Sequence, residues 1–192
     1  VELPIDPATA WHEVLVGLPD TQAALAFAFA CGDDPDILNR MISLFEPGIA
    51  EAYFLRHRKL TDPGEALVAV YVSAQTLPAF EALVGKMGGT VRYRDGAQEG
   101  RFPELYEIGW NHTTLRALKV DPSITYLQMM FGEDVSGQVA AIKNRFADEV
   151  MIHIEFTRIE GKVRAVALPL VRYTDEARLE RIVTILEEEL GL

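Results

Sequence analysis

The stretch Met151-Ile152-His153-Ile154-Glu155-Phe156-Thr157, continued by Arg158-Ile159-Glu160-Gly161-Lys162 and by Val163-Arg164-Ala165-Val166-Ala167-Leu168-Pro169-Leu170, reads as a β-hairpin. Met151 to Thr157 alternates with the period of two of a strand. Ile152, Ile154 and Phe156 therefore point one way, and His153, Glu155 and Thr157 the other. Glu160-Gly161 sits where a hairpin turn is expected. Val163 to Leu170 pairs back, and Pro169 implies that its end lies at an edge or bulge.

Working outward, Val135, Val139, Ile142 and Phe146 have the spacing of one helix face, and Ile124 to Phe131 before them reads as a strand. Beyond the hairpin, Thr174 is placed to cap a last helix with Leu179, Ile182, Val183, Leu186 and Leu190 on one face. The order is strand, helix, strand, strand, helix. The same order occurs earlier. His12 to Gly17 is a strand, Asp20 caps a helix from Thr21 to about Cys31, and Met41 to Phe45 is a strand. Ile49 to Arg56 is a short inserted helix. Leu67 to Val72 is a buried β-branched strand, Thr76 caps a helix through Met87, and Thr90 to Arg94 closes the set.

A βαββαβ unit is a split βαβ, or ferredoxin-like, arrangement. The expected fold is thus α+β: duplicated ferredoxin-like repeats with antiparallel sheets, each sheet carrying helices on one face, the second repeat lacking its last strand. The expected division is residues 1–100, a bridging helix within 101–122 (Glu104 to about Leu118), and residues 123–192. A second copy cut short, Val1 in place of Met, and Glu187, Glu188 and Glu189 opposing the dipole of the last helix are the marks expected of an excerpt from a longer polypeptide.

Composition narrows the partners. The net charge is −11 over 192 residues, which argues against a nucleic-acid partner, because phosphate binding needs a basic face. No apolar run approaches the ~20 residues of a membrane span. The single Cys31 excludes an internal disulfide and suggests a reducing, cytoplasmic setting. No phosphate-binding glycine loop, nucleophile elbow or paired-cysteine motif is present.

Chemistry must then come from the polar side of the second sheet, which the pattern leaves open. His153 and Glu155 share that side, and Tyr126, Gln128 and Arg164 join it if the register permits. His153 is the titratable candidate near neutral pH. Arg164 is suited to a carboxylate. Trp110-Asn111-His112-Thr113 on the bridging helix is a second group, with Trp110 as pocket wall and Asn111 and His112 as donors. His112, His153 and Glu155 match no standard metal-site spacing, so no metal is expected. His12 and the solvated run Arg56-His57-Arg58-Lys59 carry no functional expectation.

The residues from Leu105-Tyr106-Glu107-Ile108-Gly109-Trp110-Asn111-His112-Thr113-Thr114-Leu115 through Lys119, Asp121-Pro122 and Ile124-Thr125-Tyr126-Leu127-Gln128 resemble the substrate, or cap, domain of FAD-linked oxidases. These are the flavoenzymes related to the glycolate oxidase D subunit, D-lactate dehydrogenase and vanillyl-alcohol oxidase. Met151 to Phe156, Gly161 to Arg164 and Leu168 to Tyr173 are similar to a later stretch of that domain. The resemblance implies a duplicated ferredoxin-like cap, an FAD held by a separate domain of the same polypeptide, and a small 2-hydroxy acid or other alcohol as substrate. It implies no cofactor on these 192 residues, which alone should be colourless and inactive. The competing expectation is a complete, non-enzymatic tandem ferredoxin-like module for a small ligand or partner.

Overall fold

The structure is a computed structural model, and it describes residues 10–34, 42–53, 61–95, 105–109 and 112–192. Two antiparallel sheets and six α-helices account for most of these residues. In chain order the first half gives β1 (Trp11–Leu18), α1 (Thr21–Gly32), β2 (Ile42–Phe45), α2 (Pro47–Tyr53), β3 (Ala66–Ser73), α3 (Leu77–Lys86) and β4 (Thr90–Arg94). A 3₁₀ turn at Leu105–Glu107 and α4 (His112–Val120) follow. The second half gives β5 (Ile124–Tyr126), β6 (Met129–Met130), α5 (Val135–Phe146), β7 (Val150–Met151), β8 (His153–Ile159), β9 (Lys162–Ala167), β10 (Leu170–Arg172) and α6 (Glu176–Thr184). A last turn at Ile185–Glu189 widens so that the Leu190 N–H donates to Ile185 O.

Local chemistry sets the boundaries. Asp20 accepts from the Ala23 N–H and starts α1. Pro47 opens α2, where its missing N–H costs nothing. Asp134 caps α5 through the Gly137 N–H. The expected cap of the last helix shifts by one residue: Asp175, not Thr174, accepts from the Arg178 N–H. Thr76 stands at the start of α3 without a side-chain capping bond. At the tip of the β8–β9 hairpin Glu160 has φ 52° and Gly161 φ 77°. Positive φ at both positions is the turn whose twist matches paired strands.

The strands of the two halves form one seven-stranded sheet, ordered β4-β1-β3-β2-β8-β9-β6. The seam is the β2–β8 pair, with Ile42 opposite Phe156, Ser43 opposite Glu155, Leu44 opposite Ile154 and Phe45 opposite His153. This corrects the expectation of a separate sheet for each repeat. Three expected strands are also divided. Ile124 to Phe131 breaks into β5 and β6, Met151 to Thr157 breaks at Ile152 into β7 and β8, and Val163 to Leu170 breaks at Leu168-Pro169 into β9 and the start of β10. The pieces β5, β10 and β7 make a separate three-stranded sheet. The bridging segment is a 3₁₀ turn and then α4, not one helix from Glu104.

Both faces of the large sheet are covered. On one, Val14, Leu44, Val68, Ile154 and Phe156 pack with Phe27 of α1, Phe80 of α3, Ile142 of α5 and Ile182 of α6. On the other, Leu15, Phe45, Leu67 and Ala69 pack with Ile49 of α2, Leu105, Ile108, Ala117 of α4, and Met151 and Leu170 of the small sheet. The helices therefore do not keep to one face, and the polar face expected to be open is roofed at its centre by the chain's own second layer.

Candidate functional site

The period of two holds across the β7–β8 break. Ile152, Ile154 and Phe156 enter the larger core. His153 and Glu155 lie on the opposite face, but buried, at 0% and 5% exposure. The second layer covers them, since α4 brings Thr113 onto the histidine, and within the sheet Phe45 of β2 stacks on its ring at 4.9 Å between centroids.

His153 Nδ1 is 3.0 Å from Leu44 O. A carbonyl only accepts, so Nδ1 carries a hydrogen and donates. Nε2 lies 3.0 Å from Glu155 Oε1 and 3.2 Å from Thr113 Oγ1. The Thr113 hydroxyl donates its own hydrogen to Ile108 O. Only acceptors then face Nε2 unless Glu155 itself brings a proton, so one proton lies between Nε2 and Glu155. The imidazole is committed at both nitrogens, and its geometry holds the Glu155 carboxyl in place. Glu155 Oε2 has no hydrogen-bond partner among the described residues, and neither does the hydroxyl of Ser43, which is 0% exposed.

The other expected site residues are not gathered here. Arg164 is on β9, on the same face as Glu155, but its Nη1 donates to Glu133 Oε1 at 3.0 Å near the surface. Tyr126 belongs to the small sheet, opposite Leu170, and is exposed. Gln128 falls between β5 and β6 and is exposed. His112 begins α4 with its side chain outward. Trp110 and Asn111 lie outside the described residues. Sequence reading named Thr113 within the second group but gave it no role and did not join it to His153, and it missed Ser43. The signal for Ser43 was available: it is the one polar residue within the apolar run Ile42-Ser43-Leu44-Phe45.

A second buried carboxyl adjoins the seam. The Glu46 N–H donates to Ile152 O, and Lys143 Nζ of α5 is 3.0 Å from Glu46 Oε1. Burial pushes the Glu46 pKa up, against the pull of the Lys143 ammonium. Cys31 is buried in the larger core, and that burial pushes its thiol pKa well up, so it is no nucleophile. Among the described residues no three His, Cys, Asp or Glu side chains converge to hold a metal ion.

Among the described residues the positive-φ glycines are Gly64, Gly88, Gly161 and Gly191, and none of them leads into a helix, so these residues form no Rossmann-type pyrophosphate loop. No described helix is long and apolar enough to cross a membrane.

No protein-family model and no curated protein matches the sequence. The fold is similar to two solved structures of alkyldihydroxyacetonephosphate synthase, in two crystal forms. One gives a TM-score of 0.63 at 9% identity over 95% of this chain. The other gives 0.61 at 10% identity over 95% of this chain. In both, this chain covers 39% of the solved one, so it spans about two fifths of the length of the structures it matches. At such identities the likeness is one of fold.

Proposed function

We propose that this chain is the substrate, or cap, domain of an FAD-dependent oxidoreductase that oxidises a small 2-hydroxy acid or other alcohol. The observation that carries the reading is the fold likeness over 95% of this chain to alkyldihydroxyacetonephosphate synthase, a member of the FAD-linked oxidase family. The share of that enzyme left uncovered is room for a flavin domain. A flavin-binding domain of the same polypeptide is therefore the proposed partner, in a cytoplasmic protein. The strand orders β4-β1-β3-β2 and β6-β9-β8 support reading residues 1–100 and 123–192 as two ferredoxin-like repeats joined by residues 101–122, the second without its fourth strand.

The flavin, when bound, would supply the acceptor for the substrate's hydride. The residues of this chain would orient the substrate and exclude water. His153 and Glu155 are the proposed polar centre. Arg164, Tyr126, Gln128, Trp110, Asn111 and His112 are proposed as outer contacts to substrate or to the flavin domain.

The test is to express the complete reading frame that encodes this chain, and the 192 residues alone, and to record flavin absorbance. The longer polypeptide should purify yellow and bleach with an alcohol substrate, while the 192 residues stay colourless. A longer polypeptide without flavin, or stoichiometric FAD on the 192 residues alone, defeats the proposal. The complete burial of His153 favours a second reading, a non-enzymatic binding or interaction module in which the pair is scaffold. A flavin-free full-length protein supports that alternative.

A further inference from the structure

Two buried polar atoms at the seam have no partner among the described residues: Glu155 Oε2 and Ser43 Oγ. Both side chains are more than nine-tenths buried, at 5% and 0% exposure. A buried carboxyl oxygen without a partner costs on the order of 1–3 kcal/mol or more, so the molecule is expected to satisfy it. The two residues are directly opposite in the β2–β8 pairing, on one face of the sheet. Such pairs have Cβ atoms about 4.5–5.5 Å apart. One small group can therefore reach both.

We infer that Glu155 Oε2 and Ser43 Oγ together receive a single O–H group, which donates its hydrogen to Glu155 and accepts the hydroxyl hydrogen of Ser43. The chemistry of the pair selects the ligand. A carboxyl oxygen whose twin already takes the His153 contact requires a donor, which rules out a bare carbonyl. The carboxyl repels an anion. A metal cation needs more ligands than the described residues gather here. A group that both donates and accepts at one atom is a hydroxyl, belonging either to a water molecule or to an alcohol.

The sheet face that carries Glu155 becomes more exposed towards its β6 edge. Glu155 is opposite Val166 of β9, and Val166 is opposite Met130 of β6, the last strand of the sheet. Met130 is 53% exposed and Val166 half-buried. Strands are spaced about 4.8 Å apart, so Glu155 is about 10 Å in from the open edge along that row. The alcohol source rests on the function proposed above, whereas the water source stands without it.

A high-resolution crystal structure of the 192-residue chain and of its Ser43→Ala variant tests the site. One ordered oxygen within about 3.2 Å of both Oε2 and Oγ is expected, lost or displaced in the variant. No ordered oxygen between the two atoms, or a direct Ser43–Glu155 hydrogen bond, overturns the inference. Kinetics of the intact flavoenzyme separate the sources. If Glu155→Gln and Ser43→Ala each lower kcat/KM by about tenfold or more, the scale of one hydrogen bond, with flavin content unchanged, the hydroxyl is the substrate's. If both stay within about twofold while the ordered oxygen is present, it is water. An intact polypeptide that holds no flavin defeats the proposed function and leaves the crystallographic result to decide the site.

Discussion

Removing the His153 ring leaves the buried Leu44 O, Glu155 Oε1 and Thr113 Oγ1 without that contact. His153→Ala should therefore cost about 3 kcal/mol or more, the range for breaking a buried, hydrogen-bonded pair from one side. Urea denaturation checks this, and a loss below about 1 kcal/mol would show that the cluster is not the anchor its contacts imply. Glu46 provides a test with pH. Burial raises its folded-state pKa above the ordinary 4.5, so the folded protein holds that proton more tightly than the unfolded chain. Its contribution to stability is complete below pH 4.5 and is lost as pH rises through the raised value. Glu46→Gln cannot titrate. The stability of this variant relative to the parent should therefore rise from below pH 4.5 towards neutrality. A difference that is flat or falling with pH contradicts this. At this scale the sequence told much. Alternation alone assigned Ile152, Ile154 and Phe156 to one face and His153 and Glu155 to the other. It did not tell that both faces are covered, because the roof over His153 comes from α4, 40 residues earlier at Thr113.

Among the elements, the β8–β9 hairpin is the most local and was the most legible. Its turn requires φ above zero at two positions, and only one of them is glycine. Glu160→Asn should stabilise the protein by about 0.5–1 kcal/mol, since Asn tolerates the left-handed region better than Glu. Gly161→Ala should destabilise it by about 1 kcal/mol. Thermal unfolding of the two variants decides this, and shifts of the same sign would refute the turn assignment. The divided strands were less legible. Side-chain alternation continues through Leu127-Gln128 and through Ile152, and a change of sheet leaves no mark on it. The bend at Leu168-Pro169 did leave a mark, because proline cannot donate within a ladder. There the Leu168 N–H turns back to His153 O.

For the whole molecule, the order of elements exposed an internal repetition, but not that the two sets of strands share a sheet. That outcome depends on the β2 and β8 edges matching across the seam, which no local pattern encodes. One consequence is cooperativity. The larger core takes residues from both halves, so far-ultraviolet dichroism and tryptophan fluorescence should report one coincident urea transition. Two separated transitions would mean that the halves fold as independent units.

The seam also bears on how the chain is made. Leu44 waits for a partner 109 residues downstream, His153. At about 5–20 residues per second of synthesis, that wait lasts roughly 5–20 s. Throughout it the side of Ile42–Phe45 that pairs with β8, a strand apolar at all but one position, has no partner strand. An unpaired apolar strand edge is a template for other chains, so the hazard of aggregation at this seam belongs to the interval before His153 has been translated.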